Sequence, residues 1–204
     1  MVVLALDSNS DPLTRRAAAY RETNVYPHFT NFGHTVTRFT ATPPPSLRKL
    51  VKAEATKAGL NYMTGVGHGV ENTAFTGNSN DEIYGIGNYD PKEVQGKIVH
   101  FLSCGLGNTL GPDLVDNGCA AFFGYGENFT FPDDMADIFF ECDSEIDRAF
   151  AEGETAQVVS DRVLNVFNRH INALRDANKN YAANLLRLNR DSLCVLGNLN
   201  AKLP

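Results

Sequence analysis

The run from Val2 to Leu6 carries no polar residue, so a strand built from it must be covered on both faces. That requirement disfavours a sheet with one wet side and calls for helices above and below. Further segments of strand length lie at residues 34–40, 60–66, 97–103, 119–125 and 192–196. Helical periodicity fills the gaps. Leu13, Ala17 and Tyr20 share one face of a helix over residues 13–24, and a short turn through Phe29 and Phe32 stops at Gly33. Ser46 is placed to cap a helix lined by Leu47, Leu50, Val51 and Ala55. A short helix follows over residues 108–117. Asp133 or Asp134 then caps a stripe of Met135, Ile138, Phe139, Cys142, Ile146 and Phe150, and Thr155 caps a long helix facing inward through Val159, Val163, Phe167 and Leu174. Residues 181–188 continue the helical pattern. Strands alternating with helices predict an α/β fold, with a mainly parallel sheet of about six strands and helices on both faces.

A chain of 204 residues is long enough for one substantial core and short for two, so residues 1–204 are read as one domain. The Pro-rich piece at 42–46 is a stiff turn rather than a linker. Residues 70–95, rich in Gly and Asn, are the least regular part, with a small hairpin expected around Ile83, Tyr84 and Ile86. The net charge of −6 gives no basic footprint, which argues against a nucleic-acid partner. No apolar stretch approaches the roughly 20 residues of a membrane helix. The N-terminus reads as a strand rather than a leader, so a cytoplasmic protein is expected. The four cysteines form no Cys-x-x-Cys or Cys/His cluster, which gives no zinc signature. Cys119, Cys142 and Cys194 sit in apolar runs as small hydrophobes, and all four thiols are expected to be reduced.

In parallel sheets, chemistry gathers at the carboxyl ends of the strands. Asp7, His68, Cys104 and Glu127 each lie just past such an end. A free thiol near pKa 8.5 is only a few per cent ionised at neutrality and needs a base, a cation or a helix N-terminus to become a nucleophile. Cys104 precedes the 108–117 helix, and Gly105 and Gly107 let backbone N–H groups approach a substrate carbonyl. His68 is flanked by Gly67 and Gly69, leaving the imidazole unobstructed as a general base or acid. Taken singly, Cys104 is equally well a buried strand-end cysteine and His68 part of a structural turn. Asp7 and Asp11 are equally well helix-capping residues, and Glu127 a solvated one.

Together the two reactive residues are more specific. A strand ending in His68-Gly69, followed by a strand ending in Ser103-Cys104, resembles the caspase-like superfamily of cysteine peptidases. The approach from Gln95 to Cys104 is similar to that of the gingipain-, clostripain- and CHAT-type branches, as are the strand from Gly118 to Tyr125 and the ending Leu193 to Asn198. Those branches usually close on Gly-Asp-Pro, where this chain has Gly197-Asn198-Leu199. The caspase pentapeptide around the nucleophile is absent. The His-to-Cys spacing is also shorter than the roughly 50 residues of caspases, so an aspartate preference does not carry over.

The resemblance implies a caspase-hemoglobinase-like three-layer sandwich and an endopeptidase acting on protein or peptide substrates. In that family pattern Cys104 attacks the scissile carbonyl, His68 protonates the leaving amine, and the backbone N–H groups of Gly69 and Cys104 form the oxyanion hole. Asp7, Asp11 and Glu127 are candidates to face a basic side chain before the scissile bond. No cofactor is expected. Calcium serves some relatives, but Asp133, Asp134 and Asp137 read as a helix N-terminus.

Two other classes compete. One is a catalytically silent caspase-like fold used as a protein-interaction module. The other is an α/β small-molecule enzyme of amidotransferase or flavodoxin type. In glutaminase-type enzymes the histidine follows the cysteine, whereas His68 precedes Cys104, and no Gly-x-Gly-x-x-Gly follows the first strand to bind a dinucleotide.

Overall fold

The N-terminal apolar run forms β1 (Val2–Asp7), which lies between two other strands and is buried on both faces. The computed structural model describes residues 1–40, 46–77 and 81–204, with backbone alone at Thr40 and Ser46. The turn expected over residues 42–46, the Ser46 cap, Asn78 and Asn80 therefore lie outside the described residues. After β1 come α1 (Pro12–Asn24), α2 (Tyr26–Asn31), β2 (Thr35–Thr40), α3 (Ser46–Ala55) and β3 (Leu60–Val66). Three short strands follow: β4 (His68–Val70), β5 (Ala74–Thr76) and β6 (Glu82–Gly85). The chain ends with β7 (Ile98–Leu102), α4 (Leu110–Asp116), β8 (Ala121–Tyr125), α5 (Ala136–Ala151), α6 (Ala156–Asp176), α7 (Asn180–Asp191) and β9 (Leu193–Gly197).

The main sheet runs β2-β1-β3-β7-β8-β9, parallel throughout except for β9, which closes one edge antiparallel to β8. Period-2 alternation sends side chains to two cores. Val3, Ala5, Ile98, Leu102, Phe123 and Tyr125 join α1, α2, α5, α6 and α7 on one face. Leu4, Leu6, Val99, Phe101 and Phe122 join α3 and α4 on the other. The domain is thus an α/β sheet of six mostly parallel strands with helices on both faces.

Side-chain caps start two of the helices, α1 and α6. Asp11 caps α1 in a capping box with Thr14, with Pro12 in the first turn. Thr155 caps α6 through the Val158 N–H. The start of α5 differs from expectation. Residues 133–135 form a 3₁₀ turn, and α5 itself begins at Ala136 without a side-chain cap. The 70–95 region also differs, because β4, β5 and β6 form a second, antiparallel sheet in the order β4-β5-β6. The hairpin expected there is β5 paired antiparallel with β6, which carries Ile83 and Tyr84. Among the described residues, no helix is long and apolar enough to cross a membrane.

Candidate active site

The parallel register brings the strand ends together. Asp7 lies opposite Val66, and Val66 opposite Leu102. His68 comes two residues beyond Val66, and Cys104 two beyond Leu102. Both line one cleft of about 110 Å³, with Leu13, Thr14 and Ala17 of α1, Phe140 of α5, and Phe129 and Phe131 of the segment after β8. Arg16 holds α1 to the start of α5 by pairing with Asp137 at 3.2 Å.

Close backbone packing sets the position of Cys104. Gly69 lies flat on the Cys104 carbonyl, and a Cβ there would fall 1.8 Å from that oxygen. Gly105 takes the left-handed conformation at φ 70°, where glycine is at no disadvantage, and its N–H donates to the Glu127 carbonyl at 3.1 Å. The turn after β4 reaches across to the same loop. Its Asn72 carbonyl accepts from the Leu110 N–H at 3.2 Å and from the Thr109 hydroxyl, and the Asn72 amide oxygen fills the space a Gly105 side chain would need. The strand carrying the histidine and the loop carrying the cysteine are therefore tied at two points. The Cys104 N–H has no hydrogen-bond partner among the described residues. Burial pushes the Cys104 thiol above its ordinary range, opposed only by the Phe129 backbone.

His68 is half-exposed, and its Nε2 meets Asp11 Oδ2 at 2.7 Å. A carboxylate only accepts, so Nε2 is the donor in this bond, and Nδ1 is the ring nitrogen that Asp11 leaves unengaged. Asp11 Oδ1 meanwhile accepts from the N–H groups of Leu13 and Thr14 at 2.8 and 3.1 Å, and the Thr14 hydroxyl donates to Oδ2 at 2.8 Å. Burial alone would raise the Asp11 carboxyl. The bonds from His68, Thr14 and Leu13 outweigh it and hold the group well below the usual carboxylate range.

The three acidic residues proposed to meet substrate have separate fates. Asp11 orients His68. Glu127 is exposed and does not line the cleft. Asp7 is withdrawn altogether: it is buried, its Oδ1 accepts from Arg21 Nε at 3.1 Å and from the Val66 N–H at 3.3 Å, and its Oδ2 accepts from the Tyr26 hydroxyl.

Asp7 belongs to an ionic network under the cleft that composition could not reveal. Arg21, only 1% exposed, also donates to Asp147 at 2.7 Å and to Thr64 at 2.6 Å. His100 sits between Asp147 and Asp143, each 3.1 Å from one ring nitrogen. The hydroxyls of Tyr62 and Tyr125 donate to Asp147 and Asp143 at 2.7 and 3.0 Å. Burial would lower the His100 pKa, but the two aspartates outweigh it and the group is pushed up to about 9.

All four cysteines are free thiols. Cys119 and Cys142 are buried, while Cys194 is half-buried and packs on Gly107 and Gly126. Among the described residues, no group of three or more His, Cys, Asp or Glu side chains is placed to hold a metal ion. The residues that sequence reasoning missed are the cleft walls, Phe129, Phe131 and Phe140. Their signal was present as an aromatic run after a strand end, on the same edge as the dyad.

Compared with known proteins, the chain matches no family model, and no curated protein matches it significantly.

Proposed function

We propose that this chain is a cysteine endopeptidase of the caspase-hemoglobinase-like type, cutting protein or peptide substrates with His68 and Cys104. The observation that carries the reading is one cleft lined by a thiol and by an imidazole whose Nε2 is held by a carboxylate. The mainly parallel six-stranded sheet with helices on both faces is compatible with that fold.

The raised Cys104 pKa makes the resting nucleophile a thiol rather than a preformed thiolate. As Sγ attacks the scissile carbonyl, its proton passes to His68 Nδ1. The carbonyl oxygen becomes an oxyanion, held by the backbone N–H groups of Cys104 and Gly69. The imidazolium, stabilised by Asp11, gives the proton to the leaving amine as the C–N bond breaks, leaving a thioester on Cys104. Water then adds to the thioester, losing a proton to His68, and the acid leaves as the thiol is restored.

The test is covalent labelling with peptidyl electrophiles, read by mass spectrometry. Labelling lost in Cys104→Ala and retained in Cys119→Ala is the expected result. Absence of labelling across a broad peptide panel counts against the reading.

The same raised thiol pKa favours a second reading, a silent fold used as a protein-interaction module. In that case Cys104 reacts with iodoacetamide as an ordinary thiol, and His68→Ala leaves its rate unchanged.

A further inference from the structure

We infer that the cleft beside Cys104 receives the side chain preceding the scissile bond and selects an uncharged aliphatic or methionine-sized group over Arg, Lys or Asp. This rests on the peptidase reading above and adds a substrate class to it. A peptide whose carbonyl lies on Cys104 Sγ carries its neighbouring side chain within reach of the cleft. What it meets there is mainly apolar, through Leu13, Ala17, Val66, Leu102, Phe129 and Phe140, beside Thr14, His68 and Ser103.

No carboxylate lines this cleft among the described residues. Asp11, the acidic group nearest in sequence to the wall residues of α1, gives both oxygens to His68 and the α1 cap, and Asp7 is held by Arg21. A guanidinium or ammonium entering would lose water without gaining a counter-ion, and a carboxylate would find only His68, already paired with Asp11. An aliphatic side chain meets no such cost and gains from burial.

One further observation about the cleft narrows the class. Ser103 also lines it, and its hydroxyl, in a residue only 2% exposed, has no hydrogen-bond partner among the described residues. One neutral hydroxyl suits a methionine sulfur as a weak acceptor and cannot balance a charge.

The test uses peptidyl acyloxymethyl ketones identical except for that side chain: Leu, Met, Phe, Arg, Lys and Asp. The rate of Cys104 modification is read for each by mass spectrometry. Leu and Met probes should react at least roughly tenfold faster than Arg, Lys or Asp probes. Arg, Lys or Asp reacting as fast as Leu overturns the subsite and leaves the peptidase reading standing. If no probe modifies Cys104 faster than iodoacetamide does, the peptidase reading falls and this inference with it. Leu13→Glu supplies the reciprocal test. Leu13 is 52% exposed and lies in the first turn of α1, where a carboxylate is tolerated. The variant should raise the Arg-to-Leu rate ratio roughly tenfold, and an unchanged ratio overturns the placement of the side chain in this cleft.

Discussion

Asp11 and His68 are joined by a 2.7 Å hydrogen bond, made by a carboxylate whose other oxygen starts a helix. The orientation of the imidazole is thereby built into the first turn of α1. Neither residue moves without disturbing the other's partners.

Asp11→Asn separates the two roles. Asparagine caps a helix as well as aspartate does, so the melting temperature should change by only a few degrees. The charge that stabilises the imidazolium and fixes its tautomer is gone, so kcat/KM should fall by roughly 10²-fold or more. Asp11→Ala should lose activity and, in addition, about 1 kcal/mol of stability. Peptide turnover beside thermal melts of the two variants checks this.

Gly69→Ala places a methyl group 1.8 Å from the Cys104 carbonyl oxygen, a distance no packing tolerates. β4 must then lift away from the cysteine loop and take His68 with it. A displacement on the order of 1 Å is expected to lower turnover by roughly 10²-fold. Steady-state kinetics on a peptide substrate would show it.

Arg21→Met leaves Asp7 buried without its cation and Asp147 with His100 as its remaining cation. Loss of one partner from such a group costs about 3–5 kcal/mol, readable as a lower urea midpoint. Arg16→Ala breaks an exposed pair with Asp137 and should cost about 1 kcal/mol or less. Equal effects from the two would contradict the network as described.

His100 makes stability depend on pH in a defined direction. Its pKa rises from 6.5 to about 9 on folding, so its contribution is complete below pH 6.5 and disappears as pH rises through 9. The shift corresponds to on the order of 3 kcal/mol. Asp147 runs the opposite way. Burial would raise its pKa, but Arg21 and His100 hold it well below the carboxylate range, so its contribution is lost in acid. Urea midpoints should therefore be highest between about pH 4 and 6.5 and fall towards pH 9. A midpoint that rises over pH 6.5 to 9 would refute the imidazolium assignment.

Most of the main sheet was legible because its strands are apolar enough to read one by one, and α6 because Thr155 and its inward stripe agree. The small sheet was not, since β4 and β5 have three residues each and cannot display a period of two. His68 and Cys104 could be placed on one edge from strand order alone. The partner of His68 could not, because an Asp before Pro12 announces a helix cap and nothing more. Arg21 did leave a trace: it follows Thr14 and Ala17 at helical spacing on the buried face of α1. A cation on that face requires a buried anion, but its identity depends on which helix packs opposite.

That dependence has a temporal side during synthesis. Arg21 is made early, and Asp147 follows 126 residues later. At roughly 5–20 residues per second, this is an interval of about 6–25 s. Until α5 leaves the ribosome, the nascent β1–β3 segment holds a guanidinium with half of its counter-charge missing. Of its two carboxylate partners, only Asp7 is available to Arg21 until the last third of the chain arrives, so a nascent chain stalled before residue 147 should be more open to proteases than the full chain.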